Sequence, residues 1–237
     1  TSLLKWHNKE NIPESVRDMV LNRAEEIDPK KVDLIFTALE SEDAKIIEPK
    51  MASQVPVIST AAAFRYEDDV PILIPGINDE HCEMLNIQKK NRKWNGFIAP
   101  LPNCTTTGMA ITLKPLMDEM GLESVFMTSM QALSGAGRSP GVIALDIMDN
   151  VIPYITKEEE KVQVETKKIL GKFNGNSIIN ASIKVSCTCT RVPVMDGHTE
   201  TVFAQLKKTA LPEQVRDSML NFSKSVSIKD LPSAPAD

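Results

Sequence analysis

Cys104 stands in Pro102-Asn103-Cys104-Thr105-Thr106-Thr107-Gly108, between an apolar run and a helical pattern. A thiol at a helix start meets free backbone N–H groups and the positive end of the helix dipole, which lower its pKa and favour the thiolate. The same N–H groups can hold an oxyanion formed after attack. The plainer alternative is a small buried hydrophobe, the commoner fate of a free cysteine. Ser134-Gly135-Ala136-Gly137 follows the strand pattern carrying Gln131. Its glycines let a backbone approach a flat or phosphorylated ligand, or else form a flexible turn. Arg191 falls on the apolar phase of its strand pattern, so its guanidinium needs a buried acid or an anionic ligand. His198 follows the turn signature Asp196-Gly197 and suits proton transfer near neutral pH, although a lone histidine is often incidental. Glu158-Glu159-Glu160-Lys161 reads as a solvated first turn, its acids well placed against the dipole. Cys187-x-Cys189 has no matching pair of ligands, so it reads as core packing and no metal site is expected. His7 and His81 read as surface residues.

These residues need elements to position them. Residues 32–39 read as a buried strand, followed by a helix from Ser41 with Ala44, Ile47 and Met51 on one stripe. Two more apolar runs cover 55–59 and 70–74. Asp79 is placed to cap a helix through His81, Leu85, Ile87 and Gln88 toward Lys93, and 96–99 is the next strand. Strands alternating with helices predict βαβ units and a mostly parallel sheet. Beyond Cys104 the pattern changes. A helix covers 109–120, with Ile111, Leu113 and Leu116 or Met117 inward and Gly121 as its stop. Residues 124–131 alternate like a strand, 158–170 form a charged amphipathic helix, and 201–207 and 212–222 continue as strand and helix. Ile183, Val185, Cys187, Cys189 and Arg191 share one strand face. The antiparallel-looking second half predicts an α+β unit, with the boundary between 103 and 104. No glycine-rich phosphate turn precedes Val32, and the tail from Leu231 has loop chemistry.

The chain has 237 residues, with 27 Lys+Arg against 32 Asp+Glu, and a formal net charge of −5. An acidic chain without a basic run is a poor nucleic-acid binder. No apolar stretch is long enough to cross a bilayer, and the first residues lack the order of a secretory signal. Four cysteines at this length do not form a disulfide framework. A cytoplasmic protein with reduced thiols is the expectation. The start at Thr1 suggests a piece of a longer protein.

Read in order, Asn103-Cys104-Thr105-Thr106, the segment from Gln131 through Ser134 to Gly137, the segment from Leu145 to Tyr154, Glu158 to Lys161 and Arg191 to Glu200 resemble aspartate-semialdehyde dehydrogenase, nearest its archaeal and fungal branch. The resemblance covers nearly the whole chain. It implies a partial Rossmann-like NADP-binding domain (1–103) and an α+β catalytic and dimerisation domain of the glyceraldehyde-phosphate-dehydrogenase-like type (104–237). It also implies that the amino-terminal glycine-rich turn and a carboxy-terminal stretch are absent. The implied reaction reduces 4-phospho-L-aspartate with NADPH to aspartate 4-semialdehyde and phosphate, on the way to lysine, threonine and methionine. Carried over by residue, Cys104 is the nucleophile forming a thioacyl enzyme, His198 the acid/base and Gln131 the residue orienting the acyl group. Arg191 grips the α-carboxylate and Glu158 faces the α-ammonium. Lys161, Arg65 and Asn103 hold the phosphate. Thr37, Ala38, Leu39, Ser59, Ser134, Gly135 and Gly137 lie against the cofactor. A homodimer or tetramer follows from the same resemblance. The rival readings are a malonyl- or succinyl-CoA reductase of the same fold, and a non-catalytic fragment.

Overall fold

The structure, a computed structural model, describes residues 12–20, 22–136 and 147–225. The expectations for His7, Gly137 and the tail from Leu231 lie outside the described residues. After one helical turn at Glu14–Arg17 come β1 (Ile35–Thr37), α1 (Ser41–Ala52), β2 (Val57–Ser59), α2 (Met84–Arg92) and β3 (Ile98–Pro100). Then follow α3 (Cys104–Glu119), β4 (Leu122–Gln131), α4 (Glu158–Ile169), the short pair β5 (Lys172–Phe173) and β6 (Ile178–Ile179), β7 (Lys184–Arg191), β8 (Thr199–Leu206) and α5 (Pro212–Ser225). This is the mixed α/β architecture expected.

The first sheet, β1-β2-β3, is parallel and aligns Thr37, Ser59 and Pro100 at its carboxyl ends. α1 buries Ala44, Met51 and Ala52. Glu48 on the same helix is fully buried and accepts hydrogen bonds from Thr37 Oγ1 at 2.6 Å and Ser59 Oγ at 2.7 Å. One carboxylate thus ties two strand ends to the helix behind them. The strand read over 32–39 shortens to three residues, and Phe36 is 76% exposed because alternation turns it to a face that no described element covers. The run 70–74 is buried yet forms no strand. Pro71 removes a ladder donor, and Asn78 stands in for a neighbouring strand: its Oδ1 accepts from Ile74 N at 2.9 Å and its Nδ2 donates to Ile72 O at 2.8 Å. Asp79 turns back to accept from Gly76 N at 2.7 Å and does not cap a helix; residues 79–83 make a 3-10 turn before α2.

His81 is not a surface residue; it is fully buried. Its flanking acids mask this in the sequence. Asn78 Nδ2 donates to its Nδ1 at 2.9 Å, which leaves Nε2–H to donate to Gly171 O at 3.3 Å. Burial lowers its pKa from the ordinary value, and Lys114 and Lys168 push the same way, against Glu80 and the Gly171 carbonyl. A lowered folded-state pKa means the unfolded chain takes up the proton first, so stability is lost as pH falls below about 6.5. We expect the melting temperature to drop between about pH 6.5 and 5, with a shallower drop in His81→Gln.

The second sheet has order β7-β4-β8, with β4 central. β4 pairs antiparallel with β8 but parallel with β7, so the sheet is mixed and not purely antiparallel. The long connection through α4 permits that crossover, which strand patterning alone does not reveal. α3 packs Met109, Leu113 and Leu116 onto Val125, Met127, Cys187 and Cys189 in one core. The two cysteines are core residues, as read. Ile111 is 45% exposed, because the buried stripe runs through Met109, Ala110, Leu113 and Leu116 and places it opposite. α3 begins at Cys104, earlier than the periodicity indicates, since Thr105 to Thr107 carry no apolar signal. Gly121, at φ 72°, ends it in the left-handed region that favours glycine.

Candidate active site

Asn103 is the N-cap of α3: its Oδ1 accepts from Thr106 N at 3.1 Å. Cys104, the first helical residue, is thereby fixed and exposed. The parallel register sets Gln131 beside Arg191 at the carboxyl ends of β4 and β7. The turn before β8 then brings His198 over the helix start, with Cys104 Sγ 3.3 Å from His198 Nε2. Backbone N–H of Ala132 donates to His198 Nδ1 at 3.1 Å. An Nδ1 that accepts cannot carry the ring proton, so neutral His198 presents Nε2–H to the sulfur. Burial lowers the His198 pKa, the Arg191 charge adds to this, and Glu158 opposes it.

Arg191 is buried, and its Nη1 donates to Ala132 O at 2.7 Å. Its Nε has no hydrogen-bond partner, and among the described residues no carboxylate forms an ion pair with it. Of the two readings open in the sequence, structural pairing with an acid therefore fails. Glu158 is buried too, not part of a solvated turn. It accepts from Asn103 Nδ2 at 2.7 Å, Gln131 Nε2 at 3.3 Å and Lys161 Nζ at 3.3 Å. Burial works to raise its pKa, but these donors outweigh burial and hold it below the ordinary carboxylate value.

The thiol departs from expectation. Burial pushes the Cys104 pKa up and the Glu158 charge adds to it, while the backbone N–H and hydroxyl of Thr105 draw it down without prevailing. The helix start alone does not produce a resting thiolate here. A cation that neutralised Glu158 would favour one.

The structure brings together Cys104, His198, Gln131, Arg191, Glu158, Lys161 and Asn103. Gly135 joins them: a Cβ there would come within 2.8 Å of His198 Cε1 and 3.2 Å of Arg191 Nη1, so a larger residue would push these two side chains aside. Ser134 beside it is exposed, with its N–H donating to Met195 O at 3.0 Å. Arg65 lies behind this group. It is buried, with Nη1 on Glu165 Oε1 at 3.0 Å and Nη2 on Thr60 O at 3.0 Å. Thr37, Ala38, Leu39 and Ser59 lie at the carboxyl ends of the first sheet, where open parallel sheets bind ligands. The hydroxyls of Thr37 and Ser59 are spent on Glu48. Glu165, Tyr66 and Lys168 escaped the sequence reading. The available signal was an acid on the apolar stripe of α4, seven residues after Glu158. A separate cleft of about 400 Å³ at the far end of α3, lined by Lys114, Asp118 and Lys207 among others, holds none of these groups.

A reachable cysteine against a histidine N–H, beside a buried cation and a buried anion, is an arrangement that can serve thiol-dependent acyl chemistry. Two family descriptions match the chain: "Semialdehyde dehydrogenase, NAD binding domain" over residues 4–85 and "Semialdehyde dehydrogenase, dimerisation domain" over residues 113–236. The aspartate-semialdehyde dehydrogenase of Archaeoglobus fulgidus is 46% identical over 97% of this chain and 65% of its own length. That of Candida albicans is 36% identical over 97% of this chain and 67% of its own length. The crystal structure of the Candida albicans enzyme with NADP superposes with a TM-score of 0.78 at 35% identity, covering 90% of this chain and 62% of that one. The chain belongs to the aspartate-semialdehyde dehydrogenase family, and it spans about two thirds of the length of these curated relatives.

Proposed function

We propose that the protein to which this chain belongs reduces 4-phospho-L-aspartate to L-aspartate 4-semialdehyde with NADPH and release of phosphate. The reaction runs in the cytoplasm, on the way to lysine, threonine and methionine. One observation carries the substrate class: a buried guanidinium without an acid partner shares a site with a buried, ionised carboxylate and a thiol. A cation and an anion held apart in this way suit the carboxylate and ammonium of an α-amino acid.

In this reading Arg191 binds the α-carboxylate and Glu158 the α-ammonium. Burial raises the Cys104 pKa most and the Glu158 charge adds to it; the ammonium offsets that second contribution and so draws the pKa back down. The thiol proton leaves to solvent, since Nε2 of His198 already bears one and Nδ1 is held by Ala132. Sulfur attacks the acyl carbon. The C–S bond forms, the C–O bond to phosphate breaks, and phosphate departs with the bonding pair. Lys161, released from Glu158 by the ammonium, is the first phosphate contact. Asn103 and Arg65 are the further contacts: Asn103 Nδ2 keeps a second N–H and Arg65 Nε has no hydrogen-bond partner, so neither must leave its acid. Gln131, tied to Glu158, orients the acyl group.

Ser134 and Gly135 are exposed beside His198 and Arg191, and the bare backbone of a glycine lets the edge of a flat ring come close, so the residues present fit the reacting end of NADP. Ser134 and Gly135 would hold that end, with Thr37, Ala38, Leu39 and Ser59 toward the other. When bound, the cofactor supplies a hydride. The resulting oxyanion on the acyl carbon collapses with loss of the Cys104 thiolate, so no proton from His198 is required. Its Nε2–H serves as a fixed hydrogen-bond donor to sulfur and oxyanion.

A domain boundary between 103 and 104 suits this division of labour. Assembly as a homodimer or tetramer suits the face of the second sheet on which Phe126 and Phe203 pair across β4 and β8 while 60% and 71% exposed. The test is a paired assay of the active protein. We expect phosphate- and NADP-dependent oxidation of aspartate semialdehyde, and no NADPH oxidation with malonyl-CoA. The reverse pattern would establish the CoA-reductase reading.

A further inference from the structure

The backbone N–H of a helix N-cap lies outside the helix and needs an acceptor. A Glu or Gln three residues on often supplies it. In α3 that position is Thr106, which is too short, and its hydroxyl instead lies 3.4 Å from Asn103 Oδ1. The missing acceptor comes from another helix: Asn103 N–H donates to Glu165 Oε2 at 2.7 Å. Glu165 is fully buried, and its other oxygen accepts from Arg65 Nη1 at 3.0 Å and Tyr66 OH at 3.1 Å. Two turns separate Glu165 from Glu158, so one face of α4 grips Asn103 twice, by its backbone and by its side chain. One turn further, Lys168 Nζ donates to the carbonyls of Arg65 and Glu67 at 2.9 and 2.8 Å.

We propose that Glu165 is a positioning residue for the nucleophile: by anchoring the amide of Asn103 to the loop that leaves β2, it sets the start of α3 and with it the contact between Cys104 and His198. The anchor joins the strand end proposed for the cofactor to the residue before the thiol. Its functional meaning rests on the reading of Cys104 as nucleophile, but its geometry can be tested without turnover.

The test is iodoacetamide alkylation of Cys104 as a function of pH, resolved from Cys82 by peptide mapping, together with hydrogen exchange at the Asn103 amide. Glu158→Gln and Glu165→Gln are the same chemical change on one helix face, and the proposal gives them opposite signs. Glu158→Gln removes a charge that raises the thiol pKa and speeds alkylation at neutral pH by about three- to tenfold. Glu165→Gln loosens the helix start, slows alkylation by about tenfold, and strips protection from the Asn103 amide. Faster alkylation in both variants would reduce Glu165 to electrostatics. Unchanged rate and protection in folded Glu165→Gln would reduce it to packing. Either result overturns the proposal. Should Glu165→Gln fail to fold, Glu165→Asp keeps the charge but withdraws it by one methylene. The same slowing is expected there, and an unchanged rate refutes the anchor. His198→Ala addresses the other reading: an unchanged rate there contradicts the Cys104–His198 pair, while Asn103 protection still decides for Glu165.

Discussion

Cys104→Ser in the active protein is expected to lose turnover by about four orders of magnitude or more, with substrate binding and melting temperature nearly unchanged. The size of the loss follows from His198. A serine hydroxyl needs a base, and His198 cannot act as one while Ala132 N–H holds its Nδ1 and its Nε2 carries the proton. A thiol needs no such base, because its pKa lies far below that of a hydroxyl even with burial and the Glu158 charge raising it. Cys104 is exposed and supports no core packing, so the fold should not register the change. The measurement is steady-state kinetics with a thermal melt on the same sample. Retained activity would show that the thiol is not the attacking group.

Arg191→Leu is expected to separate activity from stability. Losing the charge proposed to bind the α-carboxylate is expected to cost about 2–5 kcal/mol of transition-state binding, roughly thirty- to several-thousand-fold in kcat/KM. The same change should hold or raise the melting temperature. A buried guanidinium without an acid partner is a burden to the fold, relieved when leucine takes its place, although the bond from Nη1 to Ala132 O is lost. Arg191→Lys should recover part of the activity, since it keeps the charge but not the fork. A variant that loses stability and activity together would mark Arg191 as structural.

The candidate site was legible in the sequence where residue type and phase disagreed. An arginine on an apolar strand phase and a cysteine between a strand and a helix both stand out. Strand periodicity puts Gln131 and Arg191 on one face once β7 is known to pair with β4, while their side-by-side register is seen only in the structure. Four things were not legible. The parallel pairing of β4 and β7 depends on a crossover, which local pattern does not encode. His81 hides among acids, and only tertiary contacts with Asn78 and Gly171 turn it inward. The resting state of the Cys104 thiol depends first on its burial and then on Glu158, 54 residues away in the chain, so a rule based on the helix start alone gave the wrong direction. In the first half, Pro71 and Asn78 replaced a strand with a buried loop, a substitution that hydrophobic runs cannot signal.

Incubating the active protein with aspartate semialdehyde and NADP while withholding phosphate should strand the acyl group on the enzyme. Acid quench and peptide mapping then read where it sits. We expect an aspartyl thioester on the peptide containing Cys104, cleared by neutral hydroxylamine or by added phosphate and missing from Cys104→Ser. Turnover with no acyl group on Cys104, or with the group on another residue, would contradict it.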